Sequence, residues 1–363
     1  MSLILDNIGL TVAGDTHIAD VNLELSPGSF NVLLGRTLAG KTTLMRLMAG
    51  LDRPTRGRIM MNGLDVTGMS VRHRNVSMVY QQFINYPALT VYDNIASPLR
   101  LAKVARAEID RRVRQTAEML HIEHLLDRLP LELSGGQQQR TAMGRALVKD
   151  ADIVLFDEPL VNLDYKLREE FREELRTLFS ERNCIAVYAT TEPAEALALG
   201  GNTAVLHEGR LLQYGRTEDV YHRPLDLLTA EMFSEPPINV MHGIISGSEV
   251  TFDTRVHFRL NEELRTLAPG EYRFGVRPSH IALQRRSGDD IEIEMWVDMA
   301  EISGSETFLH VRNDRFQLTV HLEGVHEFEA GQGVALFIPP HKVYAFDRSG
   351  SVVHIPTQHA GRA

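Results

Sequence analysis

The 363 residues include 38 lysines and arginines against 48 aspartates and glutamates, a formal net charge of −10, with 43% hydrophobic and 24% charged residues. That balance is the one of an ordinary globular chain of two or three domains, and it opposes nucleic acid as the main partner, which needs a basic face. No apolar run reaches the ~18 residues of a membrane span, the start MSLILDNIGL lacks a signal peptide's basic region and cleavage site, and a single cysteine, Cys184, excludes a disulfide framework, so a cytoplasmic chain is expected.

Residues 3–34 read as strands and turns, with Ser26-Pro27-Gly28 turning into the apolar run Phe30–Leu34. Next comes Gly35-Arg36-Thr37-Leu38-Ala39-Gly40-Lys41-Thr42-Thr43, followed by helical spacing at Leu44, Leu47 and Met48. Strand, glycine-rich loop and helix form the setting in which G-x-x-x-x-G-K-[ST] becomes a phosphate cradle. Glycines let backbone N–H groups turn inward around an anion, and the helix adds the positive end of its dipole. In such a loop Lys41 reaches the β- and γ-phosphates, and the Thr42 hydroxyl is placed to ligate Mg²⁺. A nucleoside triphosphate site is expected.

The helix should end near Gly50, before the breaker Asp52-Arg53-Pro54. Short strands follow at Ile59–Met61 and Val76–Val79, with Asn62-Gly63 as a hairpin signal. From Val91 to Lys149 apolar residues recur at helical spacing (Ile109, Val113, Ala117, Leu120), a mostly helical insertion. Strand and helix then alternate: Ile153–Phe156, a helix from about Lys166 to Arg182, Cys184–Ala189 with Cys184 in the core, a helix after Pro193, and Thr203–Leu206. This alternation predicts a largely parallel sheet covered on both faces. After Pro236-Pro237 the texture becomes all-β, through Glu249–Leu260, Ile291–Val297, Phe316–Leu322, Val334–Ile338 and Val343–Phe346, which predicts a small barrel with Trp296 in its core. The boundary is expected near residues 233–239.

Two further stretches carry chemistry. Ile153–Phe156 ends in Asp157-Glu158, where a buried strand can deliver Asp157 to position Mg²⁺ and Glu158 to polarise an attacking water. Leu133-Ser134-Gly135-Gly136-Gln137-Gln138-Gln139-Arg140 precedes a helical run, so Ser134, Gly135 and Gly136 can form a second phosphate-binding helix start. One triphosphate needs one such cradle, and a second suggests service to the nucleotide of another subunit. His121 and His124 have a metal-like spacing but no further ligands, and Arg111, Arg112 and Arg114 fit a solvated helix face.

The stretch LSGGQQQR between a phosphate loop and an Asp-Glu strand resembles the signature of ABC-transporter ATPases, and the resemblance extends over essentially the whole chain. It implies an α/β P-loop NTPase at residues 1–235, with a helical subdomain at about 84–150, and an OB-like regulatory domain at 236–363. Gln81 matches the family's Q-loop glutamine, implied to sense Mg²⁺ and the membrane subunit, so that Thr42, Gln81 and Asp157 are the implied metal set. Asp164, in Val161-Asn162-Leu163-Asp164, looks like the D-loop aspartate facing a dimer partner. Tyr86-Pro87 and the helical insertion match the surface that receives a permease. The β-domain, with Gly275-Val276-Arg277-Pro278-Ser279-His280-Ile281, resembles that of the maltose and glycerol-phosphate importer ATPases. Implied partners are two membrane permeases, a second ATPase subunit and, indirectly, a solute-binding protein, with no nucleic acid. The implied cofactors are ATP and Mg²⁺, and the implied location is peripheral, on the cytoplasmic face of the plasma membrane.

Four positions depart from the family pattern. Thr191 stands where the family has its switch histidine, and a threonine hydroxyl can neither carry positive charge nor reach as an imidazole does. Val12 stands where an aromatic residue usually stacks on adenine, with His17 as a substitute nearby. Arg36 and Leu38 replace small residues or proline in the phosphate loop. These departures fit either tolerated drift or a slow site paired with a non-identical ATPase, and the loss of a transition-state group favours the second. Thr190-Thr191-Glu192-Pro193 and Gln82–Pro87 resemble glycerol-importer ATPases, which occur as unequal pairs, and this places glycerol or a similar polyol first among solutes. The alternatives are a regulatory subunit that binds nucleotide with little hydrolysis, or a homodimeric sugar-importer ATPase.

Overall fold

Period-2 burial in the first strands and unbroken apolar runs in the later ones decide which sheet each strand joins. The computed structural model describes residues 2–82, 84–160, 165–252, 256–260 and 264–357. Two compact units divide between Glu218 and Asp219. In the first, β1 (Leu3–Val12), β2 (Asp15–Leu25), β3 (Phe30–Leu34), α1 (Lys41–Ala49), β4 (Arg56–Met61), β5 (Leu64–Asp65) and β6 (Val76–Val79) precede three helices, α2 (Val91–Leu101), α3 (Arg106–Met119) and α4 (Gly135–Leu147). Then β7 (Ile153–Asp157), α5 (Tyr165–Glu181), β8 (Ile185–Thr190), α6 (Pro193–Leu199), β9 (Asn202–His207) and β10 (Arg210–Arg216) alternate as expected.

The alternating strands make an antiparallel sheet of order β2-β1-β4-β5. Its β4–β5 turn has Asn62 at φ 53° and Gly63 at φ 78°, the left-handed pair that an Asn-Gly hairpin turn requires. The apolar strands make a six-stranded sheet of order β10-β9-β3-β8-β7-β6, parallel except for the β9–β10 hairpin at one edge. One core lies between the two sheets around α1, from Leu3 and Val21 through Leu44 and Leu47 to Leu155 and Val187. Cys184 is buried, as expected.

The helical insertion is held by its own caps. The fully buried Asn94 accepts the Tyr86 N–H at 2.8 Å and donates to the carbonyls of Tyr86, Leu89 and Thr90, which pins the turn entering α2. At the start of α4, Ser134 and Gln137 form a reciprocal capping box. Arg111, Arg112 and Arg114 pair with Glu108 and Asp110 on an exposed face, and His121 lies near Glu174.

In the second unit α7 (Thr217–His222, straddling the division) and α8 (Leu227–Met232) lead, among the described residues, into ten strands: β11 (Asn239–Ser246), β12 (Glu249–Thr251), β13 (His257–Arg259), β14 (Gly270–Val276), β15 (Ile291–Ser303), β16 (Glu306–Arg312), β17 (Gln317–Glu323), β18 (Gly333–Ile338), β19 (Tyr344–Phe346) and β20 (Val352–His354). They form antiparallel sheets of order β13-β12-β11-β14-β19-β20 and β17-β16-β15-β18, closed over a shared core that includes Phe274, Ile293, Val320 and Leu336. Residues 219–235 group with these strands. Arg277, 2% exposed, stacks 3.8 Å from the Tyr221 ring centroid and donates to the carbonyls of Tyr221 and Phe233. Leu227 and Ala230 pack with Ile238, Tyr344 and Phe346. Trp296 is a correction to the sequence reading. Ile291, Ile293, Met295 and Val297 take the inward parity of β15, so the tryptophan falls on the outer face and is 47% exposed.

Candidate nucleotide site

Parallel pairing brings the C-terminal ends of β3, β7 and β8 together, with Leu34 beside Thr190 and Asp157 beside Ala189. In open parallel sheets ligands bind beyond these ends. The phosphate loop leaves β3 there. A Cβ on Gly35 would lie 2.4 Å from the Leu206 carbonyl oxygen, and Gly40 has φ 99°, so both glycines are dictated by the backbone path. Arg36, Thr37 and Leu38 are exposed, and Leu38 takes the left-handed φ of 69° within the loop.

The buried Lys41 ammonium donates to the carbonyls of Gly35 (2.7 Å) and Arg36 (3.2 Å), and pairs with Glu158 at 3.1 Å. The Thr42 hydroxyl donates to Asp157 Oδ1 at 2.9 Å. Burial pushes the Asp157 carboxyl up from its ordinary pKa, the Glu158 charge adds to this, and Thr42 and Lys41 oppose it. Gln81 Nε2 stands 3.5 Å from the second Glu158 oxygen. Glu158 itself is left-handed, at φ 45°, and its N–H donates to the Ala189 carbonyl.

Lys41, Thr42, Gln81 and Glu158 line a cavity of about 590 Å³, within the range that small-molecule sites occupy, and Asp157 stands behind Thr42, off the lining. Its walls are residues 37–43 of the phosphate loop and the following turn, Gln81 and Glu158, with Thr16, His17, Glu208 and Gly209. Glu208-Gly209 is the β9–β10 turn, which the sequence reading missed. Gly209 donates its N–H to the Ala39 carbonyl and accepts the Ala19 N–H, pinning the phosphate loop against β2. A Cβ there would lie 2.4 Å from the His17 carbonyl oxygen. The signal was present as an Asn/Gly-type turn residue after a strand, but its spatial target was not.

Several expected residues fall elsewhere. Val12 is half-exposed at the end of β1 and is not on the lining, whereas His17 is. Thr191 is also off the lining, next to the deeply buried Thr190. Ser134 and Gly135 are exposed at the start of α4, away from this cavity, and a Cβ on Gly135 would meet nothing within 4 Å. Asp164 lies outside the described residues. A hydroxyl joined to a buried carboxylate, beside a loop with no room for a Cβ, suits a Mg²⁺-bound triphosphate.

Residues 18–161 match the family described as ABC transporter. A trehalose/maltose import ATP-binding protein of Thermococcus litoralis is 36% identical over 353 residues, covering 92% of this chain and 94% of that protein. The chain belongs to the ABC transporter ATP-binding family. An sn-glycerol-3-phosphate import ATP-binding protein of Escherichia coli O157:H7 is 36% identical over 332 residues, covering 91% of this chain and 93% of the relative. Among solved structures, a dimeric ATP-binding cassette in a post-hydrolysis state, bound to ADP and Pi, aligns with TM-score 0.54 and 27% identity over 59% of this chain and 98% of its own. A cassette from Clostridium perfringens, part of an ABC transporter complex, aligns with TM-score 0.57 and 24% identity over 61% and 90%, which bears on the fold alone.

Membership makes this chain an ATPase of the ABC transporter class. Among the described residues no helix is long and apolar enough to cross a membrane. The fold expected from the sequence, a P-loop ATPase with a helical insertion and a C-terminal all-β region, is the one observed.

Proposed function

We propose that this chain is the ATP-hydrolysing subunit of an importer for a carbohydrate, polyol or glycerol-phosphate-like solute, docked on two permease subunits at the cytoplasmic face of the membrane. The observation that carries the reading is the convergence of Lys41, Thr42 and Glu158 on one cavity, with Lys41 paired to Glu158 at 3.1 Å and the Thr42 hydroxyl held from behind by the buried Asp157 at 2.9 Å. The import relatives, similar along more than nine-tenths of their length, support the solute class.

In this reading Lys41 and the loop amides hold the β- and γ-phosphates, and Glu158 polarises the attacking water. Gln81, bonded to Glu158, relays occupancy towards the helical insertion. Thr42, Asp157 and Gln81 would hold Mg²⁺, which supplies charge neutralisation for the phosphates. Residues Leu133 to Gln137, of which Ser134 and Gly135 are exposed and none lines this chain's own cavity, close over the nucleotide of a second ATPase subunit, with Asp164 at the same interface. Closure of the pair moves the helical insertion, and through it the permease.

Thr191 makes this chain's own site the slower one, and the finer form of the proposal is a partner ATPase that is not identical and retains the histidine. Thr191→His is expected to raise turnover of the assembled complex at saturating MgATP by at least about tenfold. A complex whose turnover does not rise on that substitution contradicts the slow-site reading and favours a homodimeric sugar-importer ATPase.

A further inference from the structure

The end of β8 is the point at which three strands of hydrogen bonding meet. The Ala189 carbonyl accepts the Glu158 N–H at 3.2 Å, and the Thr190 carbonyl accepts the Gly35 N–H at 3.3 Å. This strand end therefore sets where the carboxylate of Glu158 and the first residue of the phosphate loop stand relative to each other. Its own position is fixed from behind. The Thr190 hydroxyl donates to Glu195 Oε2 at 2.5 Å, and the Tyr188 hydroxyl donates to the same oxygen at 3.1 Å.

All three side chains are buried: Tyr188 at 0% exposed, Thr190 at 2% and Glu195 at 4%. Tyr188 is wedged between Phe30 and Phe156, so its ring has one place to be. The Thr190 oxygen also accepts the Glu192 N–H at 3.0 Å, and Glu192 in turn accepts from Arg168 at 2.8 Å. The segment that carries Thr191 is thus tied at both ends, with Glu195 as the acceptor at its centre. Burial holds the Glu195 carboxyl above its ordinary pKa, and the two hydroxyl donors work against that rise. A carboxyl group this deep, offering one oxygen to two hydroxyls, is a costly element to keep for packing alone.

We propose that Glu195 is a positioning residue for ATP hydrolysis: through the Thr190 hydroxyl it locks the β8 end to which Glu158 and Gly35 are hydrogen-bonded. The proposal rests on the reading of Glu158 as the water-activating carboxylate. Glu195 touches no reacting atom. Removing it leaves two buried hydroxyls without their acceptor and lets the Thr190 carbonyl drift, and with it the geometry at Glu158. Displacements of about 1 Å at such a point cost on the order of 10²-fold in rate.

The test uses the full-length protein, with ATPase rates measured against MgATP concentration and thermal unfolding measured in parallel. Glu195→Ala is expected to lower kcat by about 10- to 100-fold with KM changed by less than about threefold. Glu195→Gln, whose amide oxygen accepts the same two hydroxyl bonds, is expected to keep kcat within about threefold of the parent. Thr190→Val should lower kcat as the alanine variant does, and the Thr190→Val, Glu195→Ala double variant should fall well short of the product of the two single effects, because both remove the Thr190–Glu195 contact. If Glu195→Ala does not fold, Thr190→Val beside Glu195→Gln carries the test. An unchanged kcat in Thr190→Val or Glu195→Ala overturns the proposal. So does a fall in kcat that comes with a matching rise in KM and a lowered unfolding temperature that glutamine does not restore. A Glu158→Gln variant in the same assay separates the two readings: if it hydrolyses ATP normally, the assignment of Glu158 fails, whatever Glu195 does.

Discussion

Asp157 sits in surroundings that oppose its own charge. It is buried, its neighbour Glu158 is negative, and its compensating partners are the Thr42 hydroxyl and the Lys41 ammonium. With its native pKa above the unfolded one, the folded state binds the extra proton, so stability is highest below the unfolded carboxyl pKa. It falls as pH rises through that value towards the native one, and stays lowered above it. Asp157→Asn keeps the oxygen that Thr42 needs and removes the charge. The variant is expected to unfold at higher temperature at pH 7, by about 1 kcal/mol in stability, while losing turnover. Thermal unfolding at pH 7 and pH 4 checks this, with the gain shrinking at the lower pH. The loop glycines, Lys41, Thr42 and the Asp-Glu pair were legible in the sequence because their spacing follows from strand, turn and helix geometry. Glu195 was not: its role depends on a hydroxyl five residues away meeting it across a strand end.

At the scale of elements, periodicity identified the apolar parallel strands and the helical insertion because both leave one-dimensional patterns. What it could not supply was which turn packs on which loop. Gly63 and Gly209 look alike in sequence, each in a hairpin turn and each with positive φ. A Cβ at position 63 meets nothing within 4 Å, whereas one at position 209 would press on the His17 carbonyl. Gly209→Ala is therefore expected to cost about 1–3 kcal/mol and to weaken MgATP binding about tenfold, since Gly209 also holds Ala39. Gly63→Ala should cost about 1 kcal/mol and leave binding unchanged. Calorimetric titration with MgATP alongside thermal unfolding distinguishes the two. Trp296 makes the same point for side chains: residue type suggested a core position, and strand parity placed it outside.

For the whole molecule, the phosphate loop and the α4 start, with Ser134 and Gly135 exposed, lie in the same unit, and the α4 start is not on the lining of the loop's cavity. That separation is what a head-to-tail pair of ATPase subunits requires, and the second cradle in the sequence was its first sign. The β-unit has its own core, and Arg277 ties the backbone of Tyr221 and Phe233 to it. The proposed solute class rests on the import relatives rather than on chemistry in this chain. All of this depends on Glu158 acting on water beside a phosphate held by Lys41. The most direct measurement is the steady-state ATPase rate of Glu158→Gln at saturating MgATP. The account predicts a fall of about 10²-fold or more. A variant that hydrolyses ATP at the parent rate would contradict it.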